Sequence, residues 1–126
     1  MKCIRIALLA GLLLLGCGTA QEAHSYRQID AETAIEWMER ETNYVLLDVR
    51  TQQEYDDGHI PGAICIPNET IKDEKPDALP DKEQMIFVYC RSGNRSKQAA
   101  GKLAALGYTN VVEFGGIIDW PGEVTR

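Results

Sequence analysis

The 126-residue sequence predicts an α/β domain: a central, largely parallel sheet of about five strands with helices on both faces. Three observations carry that prediction. Tyr44–Val49 and Met85–Tyr89 are near-continuous apolar runs, which suit strands covered on both faces rather than one. Segments with apolar residues at helical spacing lie before and after them, and an alternation of strand and helix builds parallel sheets. Finally, Cys90-Arg91-Ser92-Gly93-Asn94-Arg95-Ser96 follows one of the runs directly, and in such sheets ligands bind at the carboxyl ends of strands.

Each element can be justified in order. Tyr26 to Ile29 reads as a short first strand. Asp30 is a helix N-cap, and Ala31, Ala34, Ile35 and Met38 give the i, i+3, i+4, i+7 pattern of a helix to about Glu41, with Trp37 packing on its flank. The strand Tyr44–Val49 follows. Arg50 to Gly58 is polar, with one helical turn at Glu54 and Tyr55, and Gly58-His59-Ile60-Pro61-Gly62 is a turn cluster. Ala63 to Ile66 makes a short strand that Pro67 stops. Residues 68–84 are charged and carry Pro76 and Pro80, so they read as a surface connection with a helical turn around Ile71 or Ala78. The strand 85–89 leads into the cysteine turn. A helix over 96–106 follows, with Ser96 as candidate cap and Gly107 as terminator. Asn110–Phe114 is the last strand, and Gly115 to Trp120 returns the chain for packing.

The amino-terminal part has a different logic. Lys2 and Arg5 precede an apolar run from Ile6 to Leu15, too short to span a bilayer, and small residues close it. Residues 1–16 are therefore expected to be an export signal. Leu14-Leu15-Gly16-Cys17 resembles the bacterial lipobox, which implies cleavage before Cys17 and lipidation of that cysteine. Residues 17–25 would tether the anchor to a single domain at 26–126, placing the protein in the cell envelope, exported and held to a membrane. The net charge of −6 becomes more negative once Lys2 and Arg5 are removed, which disfavours a nucleic-acid partner.

Of the four cysteines, only Cys65 and Cys90 fall within the expected domain. Cys65 lies in an apolar run and reads as a small buried residue, with a resolving thiol as the alternative. Cys90 is different. Unpartnered backbone N–H groups, a helix N-terminus and two arginines surround it, and such a setting stabilises an anion or a thiolate. His24 and His59 stand far apart with no ligating companions, so neither a metal nor a cofactor is expected.

Three separated blocks together resemble a single-domain rhodanese, the thiosulfate sulfurtransferase homology domain. They are Asp48-Val49-Arg50 with Glu54-Tyr55 and Gly58-His59-Ile60-Pro61-Gly62-Ala63; the loop Cys90–Ser96; and Gly115-Gly116-Ile117 with Trp120. The resemblance implies a rhodanese-like three-layer sandwich. It also implies transfer of sulfane sulfur from thiosulfate or a persulfide, through a persulfide on Cys90, to cyanide or a thiol. Phosphatase relatives place the arginine six positions after the cysteine; here Arg95 is five positions after Cys90, a cradle suited to sulfur more than to phosphate. In this reading Arg91 binds the anionic donor, while Arg95 either does the same or pairs with an acid. Ser92, Gly93, Asn94 and Ser96 act through their backbone. Asp48 and Arg50 pair to support the neighbouring loop, and His59 fixes its own turn rather than acting as base. The expected protein is a monomer whose partners are a small anionic sulfur donor and its acceptor. The alternative is a lipid-anchored module that carries persulfide or binds a partner without turnover.

Overall fold

The computed structural model describes residues 25–126; the expected signal, Cys17 and all but the last tether residue lie outside the described residues. Five parallel strands form one sheet: β1 (Arg27–Gln28), β2 (Tyr44–Asp48), β3 (Ile64–Cys65), β4 (Met85–Cys90) and β5 (Val111–Gly116), in the order β1-β5-β4-β2-β3. The helices are α1 (Ala31–Arg40), α2 (Gln52–Asp57) and α3 (Asn94–Ala105). This is the α/β sandwich expected, and both sheet edges are strands of only two residues, which limits edge-to-edge association.

The alternation of β4 divides the core. Ile86, Val88 and Cys90 join a cluster with Leu47, Val49 and the α3 residues Ala99, Ala100 and Leu103. Phe87 and Tyr89 point the other way and join Ala31 and Ala34 of α1 with Val112 and Phe114 of β5. Asp30 caps α1 by accepting from Thr33 N at 2.8 Å. The turn expected at Glu54 is the six-residue α2, closed by a capping box in which Thr51 and Glu54 satisfy each other's backbone N–H groups.

Two expectations need correction. Residues 68–84 are more than a surface connection, because Ile71 and Leu79 are each 1% exposed and fill the α3 side of the core. The helical turn there is a 3₁₀ turn at Asn68–Thr70, ahead of Ile71. The helix after the cysteine also starts earlier than expected. Gly93 is its N-cap, in the left-handed region at φ 107°, so Ser96 lies inside the helix and is not its cap.

Candidate active site

Cys90 ends β4, the central strand, and its side chain falls on the α3 side because the strand alternates. It is 1% exposed. The left-handed Gly93 folds the loop back so that its own N–H donates to Cys90 Sγ at 3.0 Å, and Ser96 Oγ lies 3.4 Å from the sulfur. Burial pushes the thiol up. The Ser96 hydroxyl and the amides of Ser96, Gly93 and Ser92 together outweigh it, and the net position is below that of an ordinary thiol.

The loop is held from beneath by β5. Cys90 pairs with Gly116 across the sheet, and Ile118 N donates to Arg91 O at 3.2 Å. A Cβ on Gly116 would sit 1.9 Å from Arg91 O and 2.6 Å from Ser92 Cα. The glycine is therefore required by contact: the cysteine loop rests directly on it. Beside it, Glu113 is 2% exposed and points to the α3 side, in register with Val88. Its Oε2 accepts from Ser96 Oγ at 2.5 Å and from Gly115 N at 2.9 Å. Sequence reasoning missed Glu113 as a site residue; the signal available was an acid in the middle of an apolar strand.

The remaining loop residues separate by exposure. Arg91, Ser92 and Asn94 are exposed at the mouth, and among the described residues the Arg91 guanidinium has no hydrogen-bond or ion-pair partner. Arg95 takes the second of the roles left open for it. Its Nη1 and Nη2 donate to Glu54 Oε1 and Oε2 at 2.7 and 3.1 Å, which ties the loop to α2. The guanidinium holds the Glu54 carboxyl down at about 2. In this arrangement the guanidinium pairs with an acid, one of the two roles open to it, through one contact each from Nη1 and Nη2.

A protein-family model described as a rhodanese-like domain matches residues 30–122. The chain belongs to that family. It is 41% identical over 73 residues to thiosulfate sulfurtransferase PspE of Escherichia coli strain K12, covering 58% of this chain and 70% of the relative. It is 35% identical over 94 residues to a sulfurtransferase of Allochromatium vinosum, covering 74% and 86%. Among solved structures, a rhodanese with anions from E. coli superposes with a TM-score of 0.60 at 36% identity, covering 66% of this chain and 98% of that one. Sulfur transfer is thus the general activity of its named relatives.

Within this rhodanese-like domain, the motif around β2 and α2 is a frame for the loop. Arg50 Nη2 donates to Asp48 Oδ2 at 2.7 Å and to Gly58 O at 2.6 Å, and its Nε reaches both Asp48 oxygens. The pair is buried, with Asp48 at 0% and Arg50 at 6% exposure, and the guanidinium lies over the Tyr89 ring. Tyr89 is the residue before Cys90, and its hydroxyl accepts from Ile60 N. His59 stacks on Tyr55 with centroids 3.7 Å apart, and its Nδ1 donates to Tyr55 O at 2.8 Å. Its backbone forms a two-bond bridge with Thr125. These contacts fix the turn.

Cys65 cannot reach Cys90. Asp48 of β2 pairs with Cys65 on one side and with Tyr89 on the other, so Cys65 shares the face of Tyr89, opposite to Cys90. The two cysteines also stand two strands apart, about 10 Å, beyond the range of a disulfide. Burial raises the Cys65 thiol to about 11. The resolving-thiol alternative fails on geometry. A surface cleft of about 780 Å³, lined by Glu69, Ile71, Lys72, Asp73, Lys102 and Leu106, contains no residue of the cysteine loop. Among the described residues no cluster of His, Cys, Asp and Glu could hold a metal ion.

Proposed function

We propose that this domain transfers sulfane sulfur through a persulfide on Cys90. The observation that carries the reading is a buried sulfur held below the ordinary thiol range by the loop amides and one hydroxyl. As thiolate, Cys90 attacks the outer sulfur of thiosulfate; the S–S bond of the donor breaks and sulfite leaves with its electron pair. The persulfide anion stays in the same ring of N–H donors. Cyanide or an acceptor thiol then takes the outer sulfur and the Cys90 thiolate returns. A persulfide donor reacts in the same way and releases a thiol. Arg91, exposed at the mouth, attracts and orients the anionic donor.

The protein works as a monomer anchored in the cell envelope by lipid on Cys17, a reading supported by the small residues that end the apolar run at Gly16-Cys17. Cys17→Ala should release it from membranes, and unchanged fractionation would remove the anchor from the proposal.

Incubation with thiosulfate followed by intact-mass measurement tests the chemistry. Wild type should gain one sulfur, cyanide should remove it as thiocyanate, and Cys90→Ser should gain none. Equal uptake by Cys90→Ser, or none by wild type, would sink the reading. Uptake without turnover to any thiol would make the domain a carrier.

A further inference from the structure

The buried acid beneath the loop has a place in the chemistry. We propose that Glu113 takes the proton of Cys90 through the Ser96 hydroxyl, so that the nucleophile is a thiolate in a buried chain that shares one proton. The inference rests on Cys90 being the sulfur-transfer nucleophile and makes Glu113 a positioning residue that acts through Ser96.

The geometry is a line of three side chains. Cys90 Sγ lies 3.4 Å from Ser96 Oγ, and Ser96 Oγ lies 2.5 Å from Glu113 Oε2. Cys90, Ser96 and Glu113 are 1%, 0% and 2% exposed, so bulk water does not supply the path. Ser96 has one hydroxyl hydrogen and several acceptors around it: Glu113 Oε2, Gly93 O at 3.1 Å, Gly115 O at 3.3 Å, and the sulfur. If Glu113 is ionised, its carboxylate is the strongest acceptor and takes that hydrogen. The thiolate then loses its hydroxyl donor, and two anions face each other across one oxygen in a low-dielectric site. If Glu113 carries the proton, both problems vanish. Its O–H donates to Ser96 Oγ, and Ser96 donates to the sulfur.

Besides Ser96, the Glu113 carboxyl has one neutral donor, Gly115 N at 2.9 Å, and no cation pairs with it among the described residues. β4 presents Val88 beside it, β1 presents Gln28 and α3 presents Ser96. The charged groups of the neighbourhood are Arg91 at the mouth, Arg95 paired with Glu54 of α2, and Lys97, whose Nζ lies 3.5 Å from Gly93 O. Among the described residues none of these forms an ion pair with the Glu113 carboxylate. The transfer balances simply. The S–H bond breaks as the proton passes to Ser96 Oγ, and the serine's own hydrogen passes to Glu113 Oε2. One proton moves and no electrons change centres. The thiolate and the neutral acid that result share one proton between them through the Ser96 hydroxyl.

The test is the alkylation rate of Cys90 by iodoacetamide against pH, followed on the Cys90 peptide of the full chain. Wild type should show two inflections, one for each proton lost by the pair, and Glu113→Gln should show one. Glutamine keeps the size of the side chain and, with its carbonyl oxygen at the position of Oε2, can still accept from both Ser96 Oγ and Gly115 N, but it cannot take up a proton, so a purely structural role would leave the profile's shape unchanged. Two inflections in Glu113→Gln, or one in wild type, would overturn the proposal. If Glu113→Gln does not fold, infrared difference spectra of wild type before and after alkylation decide. Loss of a protonated-carboxyl band on alkylation supports the relay, and the absence of any such band refutes it. Thiosulfate uptake is measured on the same wild-type sample. Failure of uptake with two inflections sinks sulfur transfer and leaves the relay; normal uptake with one inflection does the reverse.

Discussion

Arg95 and Glu54, 41 positions apart, are joined by two parallel hydrogen bonds of 2.7 and 3.1 Å that fasten the cysteine loop to α2. The partners are 29% and 30% exposed, so solvent screens the pair and its coupling should be about 1 kcal/mol. A double-mutant cycle of Glu54→Gln and Arg95→Met in urea measures it. The pH dependence has a definite sign. The folded carboxyl sits at about 2, below the unfolded value of about 4.3. The contribution is therefore complete above that unfolded value and is lost as pH falls towards 2. The stability gap between wild type and Glu54→Gln should narrow across that window; a gap that widens on acidification would contradict the assignment.

Ser96 Oγ is the side-chain oxygen beside Cys90 Sγ, at 3.4 Å, and once the sulfur is a thiolate it is the hydroxyl able to donate to it, so its removal should weaken the thiolate more than the fold. A hydrogen bond to a charged group is worth about 1.5–3 kcal/mol, so Ser96→Ala should move the pH midpoint of Cys90 alkylation up by about one unit or more. Cys90 lies below the ordinary thiol range in the native protein, so its thiolate is present above the native midpoint and lost as pH falls through it. A midpoint that does not move would mean the backbone amides alone hold the anion.

Gly116 carries the loop on its bare Cα. In Gly116→Ala the new methyl would lie 1.9 Å from Arg91 O, and one of the two backbones must retreat. The expected cost is about 3 kcal/mol, with a lower melting temperature and slower sulfur uptake by Cys90. Native stability together with native uptake in this variant would show that the loop tolerates displacement.

Cys65 should be dispensable. It faces the opposite side of the sheet from Cys90, with β2 between them. Cys65→Ser should take up sulfur from thiosulfate as wild type does, and oxidation of wild type should yield no disulfide joining the two residues. A Cys65–Cys90 crosslink in a peptide map would require a rearranged sheet.

Much of this was readable beforehand, and the reason is local. A strand covered on both faces must be apolar at nearly every position, so β2 and β4 announced themselves and their parallel arrangement. The spacing of Ala31, Ala34, Ile35 and Met38, with Asp30 ahead of them, placed α1 for the same kind of reason. What failed was local too. Charges and prolines in 68–84 hid Ile71 and Leu79, two isolated apolar residues with no period to reveal that they are core.

The sequence by itself determined the sheet, the turn at the end of β4 and the cysteine on that turn, since each depends on neighbours in the chain. Tertiary structure alone decided how the turn is armed. Strand order puts β5 beside β4, and that adjacency brings Glu113 under Ser96 and Gly116 under Arg91. The packing of α2 near the loop gives Arg95 to Glu54. Those pairings span 17 to 41 positions, and no periodicity encodes them. They exist because parallel strands need crossovers, and the crossovers choose which distant side chains meet.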